Sequence, residues 1–372
     1  MIFALIALLS LPTMSHPTTL LIGSYTPKDG SCLGIQRVHF DAATGQIGAA
    51  ELVIATPNPT FLGRHPNGRW LYAVSESVNA EGKTGGAAAA FSLTADGSLT
   101  ALNVAPLGGG GVSHLALDAT GRVLVIVSYS GGQIASFPIL PDGRIGARQT
   151  FIAPTGPKGP HPRQDKSHPH STTFSPDNRR AYICDLGLDR IYGFSVNPAT
   201  AALTQFGEYA ARPGAGPRHS KFSADGKFFY VINELDSTVA TYAVDAASGA
   251  LALVQAVSTL PAGFTGENIC AEVQLHPNGK FLYGSNRGHD SLAVFARDPA
   301  LGTLSLVEVV ASGGKHPRHF ALSPDGAALI CANRDSNNLV SFKVDGATGR
   351  LTPTGHSATA VQAVCVLFLP TW

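Results

Sequence analysis

The stretch Ser223-Ala224-Asp225-Gly226-Lys227-Phe228-Phe229-Tyr230-Val231-Ile232-Asn233-Glu234-Leu235 decides the fold, because the chain repeats its pattern. A short Asp-Gly turn leads into an apolar strand that ends in polar residues. The same pattern returns at residues 65–74 (His65-Pro66-Asn67-Gly68, then Trp70 to Val74), 118–129, 175–187, 276–288 and 323–335. Between these copies runs a second motif, an alternating strand that closes on a turn and a Gly-x-Leu/Ile step. It occupies residues 34–47, 89–99, 133–145, 191–203, 239–251, 292–304 and 339–351. The second motif thus occurs seven times and the first six times. The missing first motif is split between the two ends of the chain, at residues 19–25 and 361–369.

The turn glycines of the second motif are Gly45, Gly97, Gly143, Gly249, Gly302 and Gly349, with Ala201 in the fourth copy. Their spacing of 46 to 58 residues suits four short strands with their turns, which is one propeller blade. The strands alternate, as in Ile191-Tyr192-Gly193-Phe194-Ser195-Val196, and turn chemistry bounds them. No segment sustains an apolar period of 3.6 residues over three turns, which argues against a βαβ sheet. The expectation is an all-β, seven-bladed propeller. Its ring closes by pairing Ala363-Val364-Cys365-Val366-Leu367-Phe368 with Leu20-Leu21-Ile22-Gly23, so that no sheet edge stays open. A closed ring of this kind is expected to be a monomer.

The repeat leaves no linker, so one propeller domain is expected over residues 16–372. Turn residues are abundant (41 glycines and 25 prolines in 372 residues), as many short strands require. Charged residues make up 14% with a net charge of +1, and basic residues form no run longer than two. That distribution excludes a nucleic-acid footprint. Residues 2–11 are apolar and precede Pro12 and Thr13-Met14-Ser15, and the first charged residue is Lys28. Residues 1–15 therefore read as a signal peptide without a basic start, and the protein as periplasmic or secreted. The alternative is a start codon assigned too far upstream and a cytoplasmic protein. The apolar run is too short to span a bilayer, so no membrane association is expected. Of the five cysteines, none stand in a Cys-x-x-Cys spacing, and Cys184, Cys331 and Cys365 lie inside apolar strands.

In a propeller the inner strand of each blade runs along the central channel and the next strand returns antiparallel to it. Residues that open the inner strand and residues that follow the return strand therefore share one rim. Aligning the copies gives Thr60, Ser113, His170, Arg218, Ala271 and Arg318 as opening positions, and Glu76, Tyr129, Leu186, Glu234, Arg287 and Arg334 as return positions. One histidine, four arginines and two carboxylates thus fall at equivalent places around one channel mouth. His170 closes His168-Pro169-His170 at the end of a Pro/Gly/His-rich loop, residues 153–171. It reads as a catalytic group, as a structural loop histidine, or as half of a metal site that lacks its other ligands. Glu234 is a base, a partner of an arginine, or both. Arg218 and Arg287 are anion clamps or loop ties, their planar forks suited to carboxylate, phosphate or a developing oxyanion. Arg318, Arg334, Glu76 and Tyr129 complete the rim as substrate-binding candidates. Glu272, one residue past an opening position, reads as a staple between blades. His114, His219 and His319 share one equivalent position and read as a structural feature of the repeat. Asp185 and Asp189 read as turn formers.

Several of these residues stand in a known order: Pro169-His170 before Ser175-Pro176-Asp177, then Asp185-Leu186-Gly187, Gly216-Pro217-Arg218-His219, Asn233-Glu234-Leu235, Asn286-Arg287-Gly288 and Pro317-Arg318. In that order the chain resembles the seven-bladed lactonase family, which includes the propeller type of 6-phosphogluconolactonase and the fungal carboxy-cis,cis-muconate cyclases. The resemblance implies that His170, Arg218, Glu234 and Arg287 form the active site of a metal-independent lactonase that opens a sugar-acid lactone and needs no cofactor. In that reading His170 or Glu234 is the base, and Arg218 and Arg287 hold the substrate's anionic group and the oxyanion. The alternatives are a muconate-type cycloisomerase using the same groups, and a non-catalytic propeller that binds a partner across the rim. Two features depart from the family: export, where members acting on phosphorylated sugars are cytoplasmic, and the segments 85–90 and 154–166, expected to reshape the mouth of the pocket.

Overall fold

A computed structural model describes residues 18–76 and 85–369 of the chain. The proposed signal peptide at 1–15 lies outside those residues. The described residues form seven four-stranded antiparallel sheets. In six of them the strands follow chain order from the channel outward, for example Pro217–Phe222, Phe228–Asn233, Thr238–Val244 and Leu251–Ser258. The seventh is the clasp. Its inner strand is Ala363–Phe368, at the end of the chain, and its outer three are Thr18–Ser24, Gly34–Phe40 and Glu51–Ala55. Leu20 pairs with Phe368, Leu21 with Leu367, Ile22 with Val366 and Gly23 with Cys365. The strand pairing expected from the split repeat is formed, and the structure supplies its register.

Each inner strand packs against the inner strands on both sides, including Ala363–Phe368 against both Pro59–Arg64 and Pro317–Leu322, so the ring is closed. Between adjacent sheets lie apolar layers. Tyr230, Ile232 and Val239 of one sheet interleave with Cys270, Leu282, Ala293 and Phe295 of the next. Second strands also carry tyrosines that tie neighbouring blades together. Tyr72, Tyr182, Tyr230 and Tyr283 donate to the carbonyls of the turn glycines Gly143, Gly249, Gly302 and Gly349 of the next blade, at 2.7–3.0 Å. The repeated Gly-x-Leu/Ile turn is therefore both a turn and an acceptor. Ala201 adopts the same left-handed backbone as these glycines, with φ of 62°. The cysteines are buried and unpaired, those at 184, 331 and 365 inside strands.

The segment 85–90 does not reshape the mouth as a loop. From Ala87 onward it belongs to the strand Ala87–Leu93, where Ala88 and Ala90 are buried against the next sheet. Small side chains there permit close approach of the sheets.

Candidate active site

Every opening position lies in a β-bulge. Thr60, Ser113, His170, Arg218 and Arg318 are each the unpaired residue between two residues that keep register, as Arg218 is between Pro217 and His219. Ala271 lies in the matching bulge between Cys270 and Val273. A bulge bends the strand and re-aims one side chain. In this ring it re-aims six of them at the same depth. The return positions follow the paired ends of the second strands, for instance Glu234 directly after Asn233, except Arg287, which is itself the paired end, opposite Ile269.

These residues converge on Glu234. Its Oε2 accepts from Arg218 Nε at 2.7 Å and lies 2.9 Å from Arg287 Nη2. Its Oε1 accepts from Arg163 Nη1 at 2.5 Å. Burial alone would raise the Glu234 carboxyl, but Arg287, Arg218 and Arg163 outweigh it and hold it well below the usual carboxylate range. Glu234 is thus ionised and a poor proton acceptor in this arrangement. His170 Nε2 stands 3.9 Å from Glu234 Oε2. Burial first, then the charges of Arg218, Arg318 and Arg287, push the imidazole well below its ordinary value, so it is neutral near pH 7. The pair is a contact between a carboxylate and a neutral ring.

A cavity of about 160 Å³ opens beside this cluster, lined by Tyr25, Glu76, Ser113, Tyr129, Arg163, His170, Glu234 and Arg318. Tyr25 Oη donates to Glu76, and the Arg318 guanidinium lies 5.8 Å from the centre of the Tyr25 ring. Among the described residues Arg318 has no ion pair and no hydrogen-bonded acceptor for its guanidinium. Four guanidiniums therefore face two carboxylates here, and Arg318 is held by the field of Tyr25, Glu76 and Glu234 without a hydrogen bond. A second cavity, of about 500 Å³, is lined by Arg287 with His161, Leu235, Glu267 and His316 and shares no lining residue with the first.

The sequence-derived rim is only partly the cavity wall. Glu76, Tyr129, His170, Glu234 and Arg318 line it. Arg218 does not: it is 2% exposed and donates Nε to Glu234 and Nη1 to the Ala271 carbonyl. Arg287 faces the larger cavity and donates to the Cys270 carbonyl. Arg334 borders neither cavity; its Nε donates to Asp335 at 2.6 Å. His168 does not join His170 at a shared centre, since its Nδ1 contacts the Tyr129 carbonyl and its Nε2 contacts Asp165. Asp185 is a turn former, accepting from the backbone of Gly187 and Leu188 as well as His168, whereas Asp189 is not: its carboxylate accepts from Gly214 and Gly216 in the loop that leads into the next blade.

Two cavity residues escaped the sequence reading. Tyr25 is the return position of the clasp blade, and extending the alignment into the split repeat would have found it. Arg163 lies on the inserted loop 153–168, where no repeat phase exists to locate it. That loop is tied down by Gln164 Nε2 on the Leu186 carbonyl at 2.8 Å, Lys166 Nζ on the Ser130 carbonyl at 2.6 Å and Ser167 Oγ on Asp185 at 2.6 Å. His168 stacks on Tyr129 with ring centres 4.3 Å apart. Arg163 also donates Nη2 to Tyr129 Oη at 3.1 Å, so the loop reaches across the mouth as a fixed strap.

Comparison with known proteins agrees with this architecture along the whole described chain. The family description "Lactonase, 7-bladed beta-propeller" matches residues 19–368. A 6-phosphogluconolactonase of Bacillus subtilis is 33% identical over 349 residues, covering 94% of this chain and 97% of the relative. A solved periplasmic gluconolactonase of Pseudomonas aeruginosa superposes with a TM-score of 0.88 at 32% identity, covering 95% of this chain and 99% of that one. A putative 6-phosphogluconolactonase of Bacteroides fragilis superposes with a TM-score of 0.87 at 32% identity, covering 97% and 100%. The protein belongs to the seven-bladed β-propeller lactonase family.

Proposed function

We propose that this protein hydrolyses a sugar-acid lactone in the cavity beside His170, without a metal ion. One observation carries the reading. A neutral, buried imidazole shares a small polar cavity with a guanidinium, Arg318, that has no acceptor of its own. Ring opening of a lactone needs a base for water and positive charge for the oxyanion, and these two groups supply them. His170 Nε2 takes a proton from water as the water oxygen bonds to the lactone carbonyl carbon. Arg318 stabilises the resulting oxyanion. On collapse the ring C–O bond breaks, and the imidazolium returns its proton to the alkoxide. Glu234 orients the arginines and offsets the imidazolium charge. A bound anion weakens the guanidinium field that depresses His170, so the base strengthens as the substrate docks.

The relatives are named for gluconolactone and its 6-phosphate, which supports a sugar-acid lactone as the substrate class. The metal-free reading is supported by the donor set: both oxygens of Glu234 are held by guanidiniums and Glu76 accepts from Tyr25. Export is proposed from residues 1–15, and sequencing the mature N-terminus tests it.

The deciding assay is a lactone panel of gluconolactone, its 6-phosphate and muconolactones, run on wild type, His170→Ala and Arg318→Met. Hydrolysis of a sugar-acid lactone that survives chelator and fails in both variants is expected. No turnover of any panel member, or wild-type rates in His170→Ala, overturns the proposal.

A further inference from the structure

Beneath the cavity the channel is closed by a layer of side chains that this chemistry does not use. The residue after the opening position is Ser171 in one of the six aligned blades, and Phe61, His114, His219, Glu272 or His319 in the other five. They meet near the ring axis: the Phe61 ring centre lies 4.0 Å from His114, 5.7 Å from His319 and 6.0 Å from His219. Glu272 Oε2 contacts His219 Nδ1 at 2.6 Å and His319 Nε2 at 3.5 Å, so it joins three adjacent blades. The staple reading of Glu272 therefore describes its contacts, and the repeated histidines face the axis rather than a turn.

The layer touches the site at one point. The His219 ring packs edge-on against His170, with centres 5.1 Å apart and planes at 65°. A carboxylate on Nδ1 places the proton of neutral His219 there and leaves Nε2 as an acceptor. That Nε2 is buried with no partner among the described residues, and so is His170 Nδ1. Buried polar atoms without partners are rare, and these two lie on adjoining rings.

We propose that Glu272 and His219 are positioning residues that fix the tautomer of His170. His170 Nδ1–H donates to His219 Nε2 through one water, since the two atoms make no direct hydrogen bond, and His219 Nδ1–H donates to Glu272. The free lone pair of His170 is then on Nε2, the atom that faces Glu234 and the cavity. The relay rests on the proposed lactonase chemistry, because it sets up His170 as the base. Charged and titratable groups act on it from every side. His219 feels Arg218 and Lys221 of its own strand, His114 and His319 across the axis, Glu272 and Arg318. His170 feels Arg218, Arg287, Arg318, Glu234 and Tyr129.

The test is imidazole nitrogen NMR on labelled protein near pH 7, read beside steady-state kinetics. Wild type should show both rings protonated at Nδ1 and bare at Nε2. His219→Phe, which keeps an aromatic ring in the layer, should leave His170 in mixed tautomers. It should lower kcat about tenfold with KM within twofold, and shift the acid limb of the pH profile. Glu272→Gln should disturb the His219 tautomer first and His170 with it. A wild-type His170 that is bare at Nδ1, or a His170 tautomer unmoved by His219→Phe, overturns the relay. The two readings fail separately. The expected tautomers in a protein that opens no lactone leave the relay standing and sink the proposed reaction. Turnover with the wrong tautomer does the reverse.

Discussion

Arg163 Nη1 donates to Glu234 Oε1 at 2.5 Å, so a residue of the inserted loop is bonded to the most deeply held carboxylate of the rim. The two ends of this bond differ: the Arg163 side chain is 39% exposed and that of Glu234 is 1%. Arg218 and Arg287 hold the other oxygen and cannot leave without unpairing a buried charge. Arg163 can leave, and an incoming anion competes with Glu234 for it.

Arg163→Ala is therefore expected to be mild for folding and costly for substrate recognition. The pair is partly solvated, so stability should change by about 1 kcal/mol or less. KM for an anionic sugar lactone should rise about tenfold, with a smaller change for a neutral one. Equal effects on both substrates, measured by initial rates, would show that Arg163 does not read the anion.

Arg318→Met removes a cation that lacks a protein acceptor. Thermal stability should be unchanged or slightly lower, since no ion pair is broken but Tyr25, Glu76 and Glu234 favour the charged guanidinium. Loss of one preorganised oxyanion donor should lower kcat about 100-fold. A full-rate Arg318→Met enzyme would move oxyanion stabilisation to another group.

Arg218→Met should show the opposite pattern. Arg218 and Glu234 are 2% and 1% exposed, and breaking such a pair costs about 3–5 kcal/mol. The depressed carboxyl of Glu234 also sets a pH signature. Its contribution is complete above the unfolded carboxyl value of about 4.3 and is lost as pH falls through the lower folded value. Denaturant midpoints should decline from about pH 4 downward in wild type, and Glu234→Gln should flatten that decline.

His170 predicts where activity ends on the acid side. Its folded value lies well below 6.5, so the base stays free as pH falls past 6, and kcat/KM should hold until the imidazole is protonated at lower pH. His170→Ala should lose about 100-fold or more and erase that limb. An acid limb centred near 6.5 would contradict the neutral, buried imidazole.

Architecture was legible because a propeller writes its period into the chain. The split repeat even gave the pairing of the two terminal strands, though not that Leu20 faces Phe368. The rim was legible wherever a residue sits in a repeated bulge or directly after a return strand, which covers His170, Glu234, Arg318, Glu76 and Tyr129. Phase gives position around the ring but not the direction of a long side chain. Arg218 and Arg334 occupy rim positions and still point to Glu234 and Asp335 rather than the cavity. Arg163 was out of reach because an inserted loop has no counterpart in other blades. The axial layer showed in sequence as a repeated histidine, but its meeting with Glu272 depends on closing the ring.

The clasp has one more consequence, for how this enzyme can be held. The cavity lies where Ala363 begins the inner strand and Ser24 ends its neighbour, whereas Thr18 and Phe368 lie at the other end of the same strand pair. Six residues of strand separate the two ends, roughly 20 Å. Thr18 and Phe368 therefore both lie on the face opposite the mouth. A tether fixed near either residue on a bead, a sensor chip or a membrane surface would leave the His170 cavity facing outward.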